Sequence, residues 1–595
     1  MVQRKSVKTQ WWKWIAGILG GLLLIGIGSG YYLYSRWKPI LSEKIKKEVK
    51  NGSQGLYQID FKDIHLNILT GTASVDEAQL SPDTAVFSRL KTLKLAPAHL
   101  FQVKVKKLQI NHIALLNAYF NKKIDISSIV LNQPSINMIH YRVNKRKDSI
   151  KPDVSLFQLL SGKIKSIRVD AIRIVNADFD YVKGETSKPL NRIKKLNLNI
   201  RDLLIDSLSQ FDTTRFYYTK DITFELSGYQ SKDKMYQIKA DTISGSARGK
   251  TLRILGLKMI PLHADLPFSR MYKYGKDRYD LNFSQITFQG VDFLRLNEEE
   301  EFHAKLLKLG PAKVGIFLNR EMSADPNVNK GDNFPHLALR RLPLPSTIDQ
   351  IRLNDVDVAY TEYNPISQKR GTIYFQNLNG TITNVTNDSL SLVKNNHAIA
   401  KLNARVMKKA KIDLRMDFNL TDNKGAFKYS GEVESLDLKE LNPVSKPLGL
   451  IEIESGKMQK ADFNISGNKF GSSGEVHFYY TDLKLKLLKE GEDGEAPKKK
   501  GLLSFLANSL LIKDANPSKG ESPRTANVTF QRSPAASFFN LLWKGVFIGM
   551  RETAGLGIVP VKTPEKAMEA IKDKKKERQE KRIERKEKKK EKKVS

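Results

Sequence analysis

The chain contains no cysteine, which excludes disulfides and thiolate metal sites. Compact catalytic signatures are missing as well: there is no phosphate-binding glycine loop, no HExxH, no nucleophile elbow and no DxDxDG calcium loop. Its nine histidines are scattered, with no two at helical ligand spacing, and isolated ones such as His112 and His140 read as surface or core residues. Gly245-Ser246-Ala247-Arg248-Gly249 is too poor in glycine for a phosphate cradle and reads as a turn. No cofactor is called for. Hydrophobic residues make up only 40% of the 595, a deficit that suggests thin walls rather than a thick core. Acidic residues are also few, 64 against 100 Lys plus Arg, and the net charge of +36 asks for an anionic partner. Nucleic acid fits poorly, because neither an aromatic pair on a compact sheet nor a recognition helix beside a basic stripe is present. A lipid surface remains.

What the chain does have is a repeated spacing. In Lys163–Tyr181, KIKSIRVDAIRIVNADFDY, apolar residues fall at Ile164, Ile167, Val169, Ile172 and Ile174, two period-2 pairs separated by Asp170-Ala171. The spacing returns at Ile348-Ile351-Leu353-Val356-Val358, Val105-Leu108-Ile110-Ile113-Leu115 and Phe283-Ile286-Phe288-Val291-Phe293. A fifth copy, Ile126-Ile129-Leu131-Pro134-Ile136, has proline in the fourth slot. An unbroken strand would turn the second pair to the opposite face, so both pairs share a face only if the backbone bulges or turns in the gap. Each copy is therefore expected to be a bent strand or tight hairpin, apolar on one face. The candidate lining residues are Ile167, Val169, Ile172, Ile174, Phe288, Val291, Ile351, Leu353, Val356 and Val358. The intervening Arg168, Asp170, Arg173, Arg352, Asn354 and Asp357 are expected to face water.

Along the chain, residues 1–13 precede an uncharged run, Trp14–Tyr34, that spans about 31 Å as a helix, the hydrocarbon thickness of a bilayer. Aromatic belts flank it, with Trp11, Trp12 and Trp14 before and Tyr31, Tyr32, Tyr34 and Trp37 after. The alternative is a cleaved signal peptide ending near Gly28-Ser29-Gly30, although no Ala-x-Ala site is present. Basic residues are nearly balanced across the run. The large downstream body still favours a cytoplasmic N-terminus with the bulk outside the cytoplasm.

In residues 35–55, Leu41, Ile45 and Val49 share a helical face, and the helix is expected to end at Asn51-Gly52. Residues 56–488 read as almost all β, in halves 56–322 and 346–488 joined by a loop over Ser323–Pro345. Helices are expected at Val154–Leu160, Glu298–Leu309 and Leu436–Leu441, the last stopping at Asn442-Pro443. Residues 489–562 combine a linker, a short helix over Leu502–Ile512 and an amphipathic helix over Ser537–Thr553. On that second helix Phe539, Leu542, Trp543, Val546 and Met550 share the apolar face, which either plugs the β body or lies in a lipid interface. Residues 563–595 form a charged, solvated tail.

The run Leu414–Leu488 resembles the C-terminal region of the AsmA-like family. The resemblance is carried by Gly431 with Leu436, Leu441-Asn442-Pro443, Ser455-Gly456, Ile465-Ser466-Gly467, and Gly474 leading to Tyr480-x-Asp482-Leu483. Upstream units such as IDQIRLNDVDVAYTEY and the SFFNLLWKGVFIGMRETAG helix are similar to that family too. The resemblance implies an inner-membrane-anchored periplasmic protein with a curled sheet of the repeating β-groove type and a role in outer-membrane lipid homeostasis. Its implied partners are phospholipids or other anionic lipids, the inner membrane, and outer-membrane or envelope proteins.

The expected fold class is thus mainly β: an N-terminal transmembrane helix, an elongated curled β-sheet with a few short helices, and a C-terminal amphipathic helix. A trough lined by the repeat residues would hold acyl chains without any chemistry. At about 0.8 kcal/mol per buried CH₂, a sixteen-carbon chain gains on the order of 10 kcal/mol. A closed body with a dry core, acting as a membrane-tethered scaffold, is the competing reading. The topology is testable directly: protease added to spheroplasts is expected to digest the chain beyond about Arg36, and full protection of the body would refute an extracytoplasmic location.

Overall fold

The structure, a computed structural model, describes residues 37–555 apart from 68–69, 94–95, 98, 142–156, 158–163, 185–187, 217, 490–497 and 500–512. The run Trp14–Tyr34, the helix expected over Leu502–Ile512, most of Val154–Leu160 and the tail from Thr563 lie outside those residues. Among the described residues no helix is long and apolar enough to cross a membrane. The chain is mainly β. Its strands are β1 Tyr57–Asp60, β2 Asp63–Asn67, β3 Thr72–Pro82, β4 His99–Ile113, β5 Lys123–Asn132, β6 Ser135–His140, β7 Ser166–Lys183, β8 Lys188–Ile205, β9 Asp221–Lys232, β10 Tyr236–Ser246, β11 Thr251–Pro261 and β12 Arg278–Gln289. They continue with β13 Phe302–Leu309, β14 Ala312–Asn319, β15 Ser346–Asn364, β16 Lys369–Thr386, β17 His397–Val406, β18 Ala410–Asn419, β19 Phe427–Val433, β20 Leu436–Asp437, β21 Ile451–Asn468, β22 Gly471–Lys489, β23 Lys498–Lys499 and β24 Thr525–Gln531.

Contacts divide the chain into two compact units. The first takes residues up to Tyr229 with Ala240–Leu255 and Phe288–His303; the second takes Gln230–Lys239, Gly256–Thr287 and the chain from Ala304 on. In the first, β3 pairs antiparallel with β1, β2 and β4, and β4 with both β5 and β6. β5 and β6 lie parallel to β7, followed by antiparallel β8 and β9. The helix Trp37–Gly52 forms where expected, and its Ile45 and Val49 join the buried cluster of this unit.

In the second unit β12 pairs with β14 and β14 runs parallel to β15. An antiparallel series then follows through β16, β17, β18, β19, β21, β22 and β24. The expected loop Ser323–Pro345 lies within this unit and is partly helical, at Lys330–Asn333 and Pro335–Arg340. Arg532 ties that segment down: its guanidinium donates to the carbonyls of Lys469, Ser533, Pro534 and Ala536 and to Asn329 Oδ1, and stacks on the buried Phe334 ring. Loss of hydration lowers the pKa of this buried guanidinium, which the row of acceptors holds in place.

Two helix expectations need correction. Glu298–Leu309 is mostly strand β13, whose Ala304 and Leu307 are buried, while the helix in that region is Phe293–Glu298 just before it. Only a 3-10 turn occupies Leu438–Leu441, and Pro443 does not stop a helix but opens one, Asn442–Gly449, where its missing N–H has no partner to lose. Three repeat copies also break, the first because β4 ends at Ile113 and Leu115 starts the helix Leu115–Asn121. Gly290 at φ +67 ends β12, so Val291 sits in a turn and Phe293 starts a helix. Gln133-Pro134 separates β5 from β6, with Gln133 at φ +47.

One glycine fixes the β16–β17 crossing. Gly380 has φ +145, and a Cβ there would lie 2.1 Å from the Lys401 carbonyl oxygen. Gly380→Val is expected to destabilise the chain by more than the about 1–3 kcal/mol of backbone strain alone. A lowered unfolding midpoint in thermal denaturation is the readout; an unchanged midpoint would contradict this geometry.

Candidate functional site

The repeat spacing is realised by single left-handed residues that reset which side chains point to which face. In β15, Asp355 has φ +51, the register with β16 shifts between Leu353 and Val356, and Arg352 and Asn354 are exposed as expected. In β7 the reset takes another form. The register with β8 is constant from Ile167 to Ile174, and it is Asp202 on β8, facing Asp170, that has φ +50. Registers across β4, β5 and β7 align His112 (φ +54), Ser127 and Asp170 with it, and Gly71 (φ +63) caps the line beside Ile113. A second line crosses at Glu77, Gln133, Asn176 and Lys195, each with positive φ. Backbone N–H groups freed at such resets are taken up by side chains: Asn176 donates to Asn197 Oδ1 at 2.8 Å, Asp355 to Asn379 Oδ1 at 2.9 Å and Asn377 to Asp357 Oδ1 at 3.1 Å.

The candidate lining residues fall into two environments. Ile167, Val169 and Ile172 are buried in a packed cluster with Ile45, Leu56, Ile110, Ile124, Ile126 and Ile129. Phe288 is half-buried, edge-on to Phe302 at 5.5 Å, and Val291 is buried in its turn. Ile174 differs. It is half-buried and opens a transverse row with Leu198 and Phe224, and none of the three joins a buried cluster. The alternate positions on the same strands, Arg173, Asn197, Asn199, Thr223 and Glu225, are polar, and they line one shallow cavity together with Ile174, Leu198 and Phe224.

In the second unit Val356 is buried and Ile351, Leu353 and Val358 are half-buried. Val358 lies in a row Leu281–Val314–Val358–Phe375, all half-buried and outside the buried clusters. The residues that sequence reasoning missed are therefore the row mates: Leu198, Phe224, Leu281, Val314 and Phe375. Only Leu281 neighbours a repeat copy, and its signal was the same alternation extended by one step.

The terminal helix, Phe538–Thr553, is where it was expected, capped by Ser537, and Leu542, Val546 and Met550 of its expected face pack on the core, but the most buried stripe is rotated from that face. Its buried stripe is Leu541, Gly545, Gly549 and Thr553, while Phe539, Leu542, Trp543, Val546 and Met550 are half-buried. The reason is close approach: a Cβ on Gly549 would lie 2.5 Å from Val476 Cβ, and one on Gly545 2.6 Å from the Tyr429 hydroxyl. The helix backbone thus rests on the sheet, and the larger side chains flank it. Phe539 packs against Tyr360 at 4.8 Å and Phe375 at 5.5 Å, and Trp543 against Phe547 at 5.6 Å. Near the helix start Glu362, 2% exposed, accepts from the Tyr360 hydroxyl at 2.9 Å and Asn540 Nδ2 at 3.2 Å, with Arg320 at 3.5 Å. Burial and the Glu362 charge push the Tyr360 hydroxyl well above its ordinary pKa, so it stays a proton donor.

No family model matches this chain, and no curated protein matches it. The positions that carry the AsmA-like resemblance have structural work in this fold. A Cβ on Gly431 would lie 2.6 Å from the Asp413 carbonyl oxygen and one on Gly474 2.2 Å from that of Asn464, while Gly456 and Asp482 take φ +143 and +56 at a reset in β21 and β22. Among the described residues no cluster of His, Asp or Glu suits a metal ion.

The helix seat gives a paired test. Gly549→Leu is expected to unseat the helix and lower stability strongly, by overpacking against Val476. Trp543→Ala, removing a half-buried ring, is expected to cost only about 1–2 kcal/mol. Thermal unfolding ranks the two, and the reverse order would contradict the glycine seam.

Proposed function

We propose that this protein handles lipids, holding acyl chains against the uncovered apolar face of its sheet. The observation that carries the reading is the pair of transverse rows, Ile174–Leu198–Phe224 and Leu281–Val314–Val358–Phe375, which stay only half-buried outside the packed clusters, with Phe375 touched by Phe539 of the terminal helix. Leaving such rows open to water is unfavourable by roughly 25 cal/mol per Å² of apolar surface, and an acyl chain removes that cost without requiring a hydrogen-bond partner. The polar residues at the alternate strand positions and the net charge of +36 suit a sheet wetted on one side near anionic headgroups. With the N-terminal apolar run as an anchor and the AsmA-like resemblance, the role is that of an inner-membrane-anchored periplasmic protein. It would contribute to phospholipid transport between membranes or to outer-membrane homeostasis.

The packed environment of Ile167, Val169 and Ile172 favours the scaffold reading for that part of the sheet, so the lipid-contacting positions are placed in the open rows instead. A photo-cross-linking residue replacing Phe224 or Val358 in the full chain, irradiated in cells, is expected to give phospholipid adducts by mass spectrometry. The same residue at Arg173, on the polar face, is expected to give none. Equal adducts at all three sites, or none at any, would defeat the reading. Val169→Asp is expected to unfold the first unit, because it leaves a carboxylate unpaired in a packed cluster.

A further inference from the structure

We infer that one rim of the first unit, carrying Leu116, Tyr119, Phe120, Leu208 and Phe211, is a docking surface for an anionic lipid bilayer. These five side chains are 76%, 61%, 73%, 75% and 74% exposed, far beyond what a packed protein leaves open at so many large apolar residues on one edge. They stand on two tips. Leu116, Tyr119 and Phe120 belong to the helix Leu115–Asn121 between β4 and β5, and Leu208 and Phe211 to the turn after β8. The ladders bring the tips together. Lys123 pairs with Ser166 and Ile167 with Ile205, while the Lys165 N–H donates to the Lys122 carbonyl at 2.8 Å, so the tips stand two strand spacings apart, about 10 Å.

Charge selects the occupant. Lys122, Lys123 and Lys165 are exposed at the base of the tips and, among the described residues, make no ion pair. The acidic groups beside them do not cancel this charge: Asp202 and Asp212 are offset by Arg168, Arg215 and Lys220, which leaves Asp125 and Asp206 against the three lysines. Asp125 accepts from Asn117 Nδ2, Asp206 from the N–H groups of Leu208 and Ser209, and Asp212 from Thr214, while Asp202 is paired with Arg168, Arg215 and Lys220. The rim therefore presents projecting aromatic and aliphatic side chains with free cations behind them. That is the chemistry of a bilayer interface, where rings and Leu enter at headgroup level and lysines reach the phosphates. Two separate convex tips also offer no flat or concave face on which a protein partner would bury its own core residues. The inference does not depend on acyl chains occupying the open rows.

The absence of cysteine makes the test clean. Single Phe120→Cys and Phe211→Cys variants of the full chain, held in phosphatidylcholine nanodiscs, carry a polarity-sensitive dye, with Arg173→Cys as the control. Vesicles of phosphatidylglycerol, with and without brominated acyl chains, are added. Blue-shifted emission quenched by brominated lipid at both rim sites and not at the control is the expected result, weaker with phosphatidylcholine vesicles and at high salt. With the dye at the Phe211 site, Leu116→Ser together with Phe120→Ser is expected to reduce vesicle affinity at least about tenfold. The exposed positions leave the melting temperature unchanged. Unquenched, unshifted emission with every vesicle would overturn the inference. So would a shift that follows protein concentration without lipid, which assigns the rim to a second copy of the chain. Photo-cross-links at Phe224 persist in that case, so failure here and failure of the lipid-handling reading are distinguishable.

Discussion

Strand parity is the constraint on which this structure depends. β7 and β15 are 18 and 19 residues long, and over such lengths side chains must keep to their faces through a sheet that twists. A single left-handed residue exchanges inside and outside, so apolar pairs before and after it share a face. Because neighbouring strands are hydrogen-bonded in register, a reset in one has to be matched in the next. The left-handed residues therefore align across the ladders, as Gly71, His112 and Asp202 do with Ser127 and Asp170 in ordinary conformation between them. Non-glycine residues in this conformation cost free energy, and the carboxamides of Asn197 and Asn379 offset part of it by accepting the freed N–H groups.

In each unit a helix covers part of the apolar face that the rows leave open. Near the N-terminus Ile45 and Val49 of one helix complete a buried cluster, and in the second unit Leu541 of the terminal helix does the same with Phe463, Ile465, Val476 and Val528. The terminal helix comes close through Gly545 and Gly549, and Leu541, Phe538, Leu542, Val546 and Met550 pack around that contact. It also places Asn540 and the ring of Phe539 against Glu362, Tyr360 and Phe375, so polar and aromatic contacts fix its angle while the glycine seam fixes its height.

Much of this was legible in the sequence, and the failures have physical causes. The 0, 3, 5, 8, 10 spacing announced same-face strands with an interruption, since only a reset reconciles it with period-2 alternation. Where the reset would sit was not legible, because the left-handed residue is on the repeat strand at Asp355 but on its neighbour at Asp202. Glu298–Leu309 misled because FHAKLLKL mixes both periods, and pairing partners decided it. On the terminal helix, apolar periodicity ranked Trp543 above Gly549, whereas close packing rewards the smaller side chain. Leu198 and Phe224 were missed because a binding row runs across strands, and spacing along one strand carries no information about it.

Apart from the parallel steps into β7 and β15, nearly every strand pairs with one close to it in the chain. A polypeptide delivered from its N-terminus thus adds each strand to an edge that already exists, so loop closure stays inexpensive. The exceptions are contacts made by the C-terminal segment, Arg532 with Asn329 across 203 residues and Asn540 with Glu362 across 178. Those long-range clasps close last. Until they do, the last strand edge and the seat of the terminal helix stay uncovered, which is where an incompletely delivered chain would associate with others.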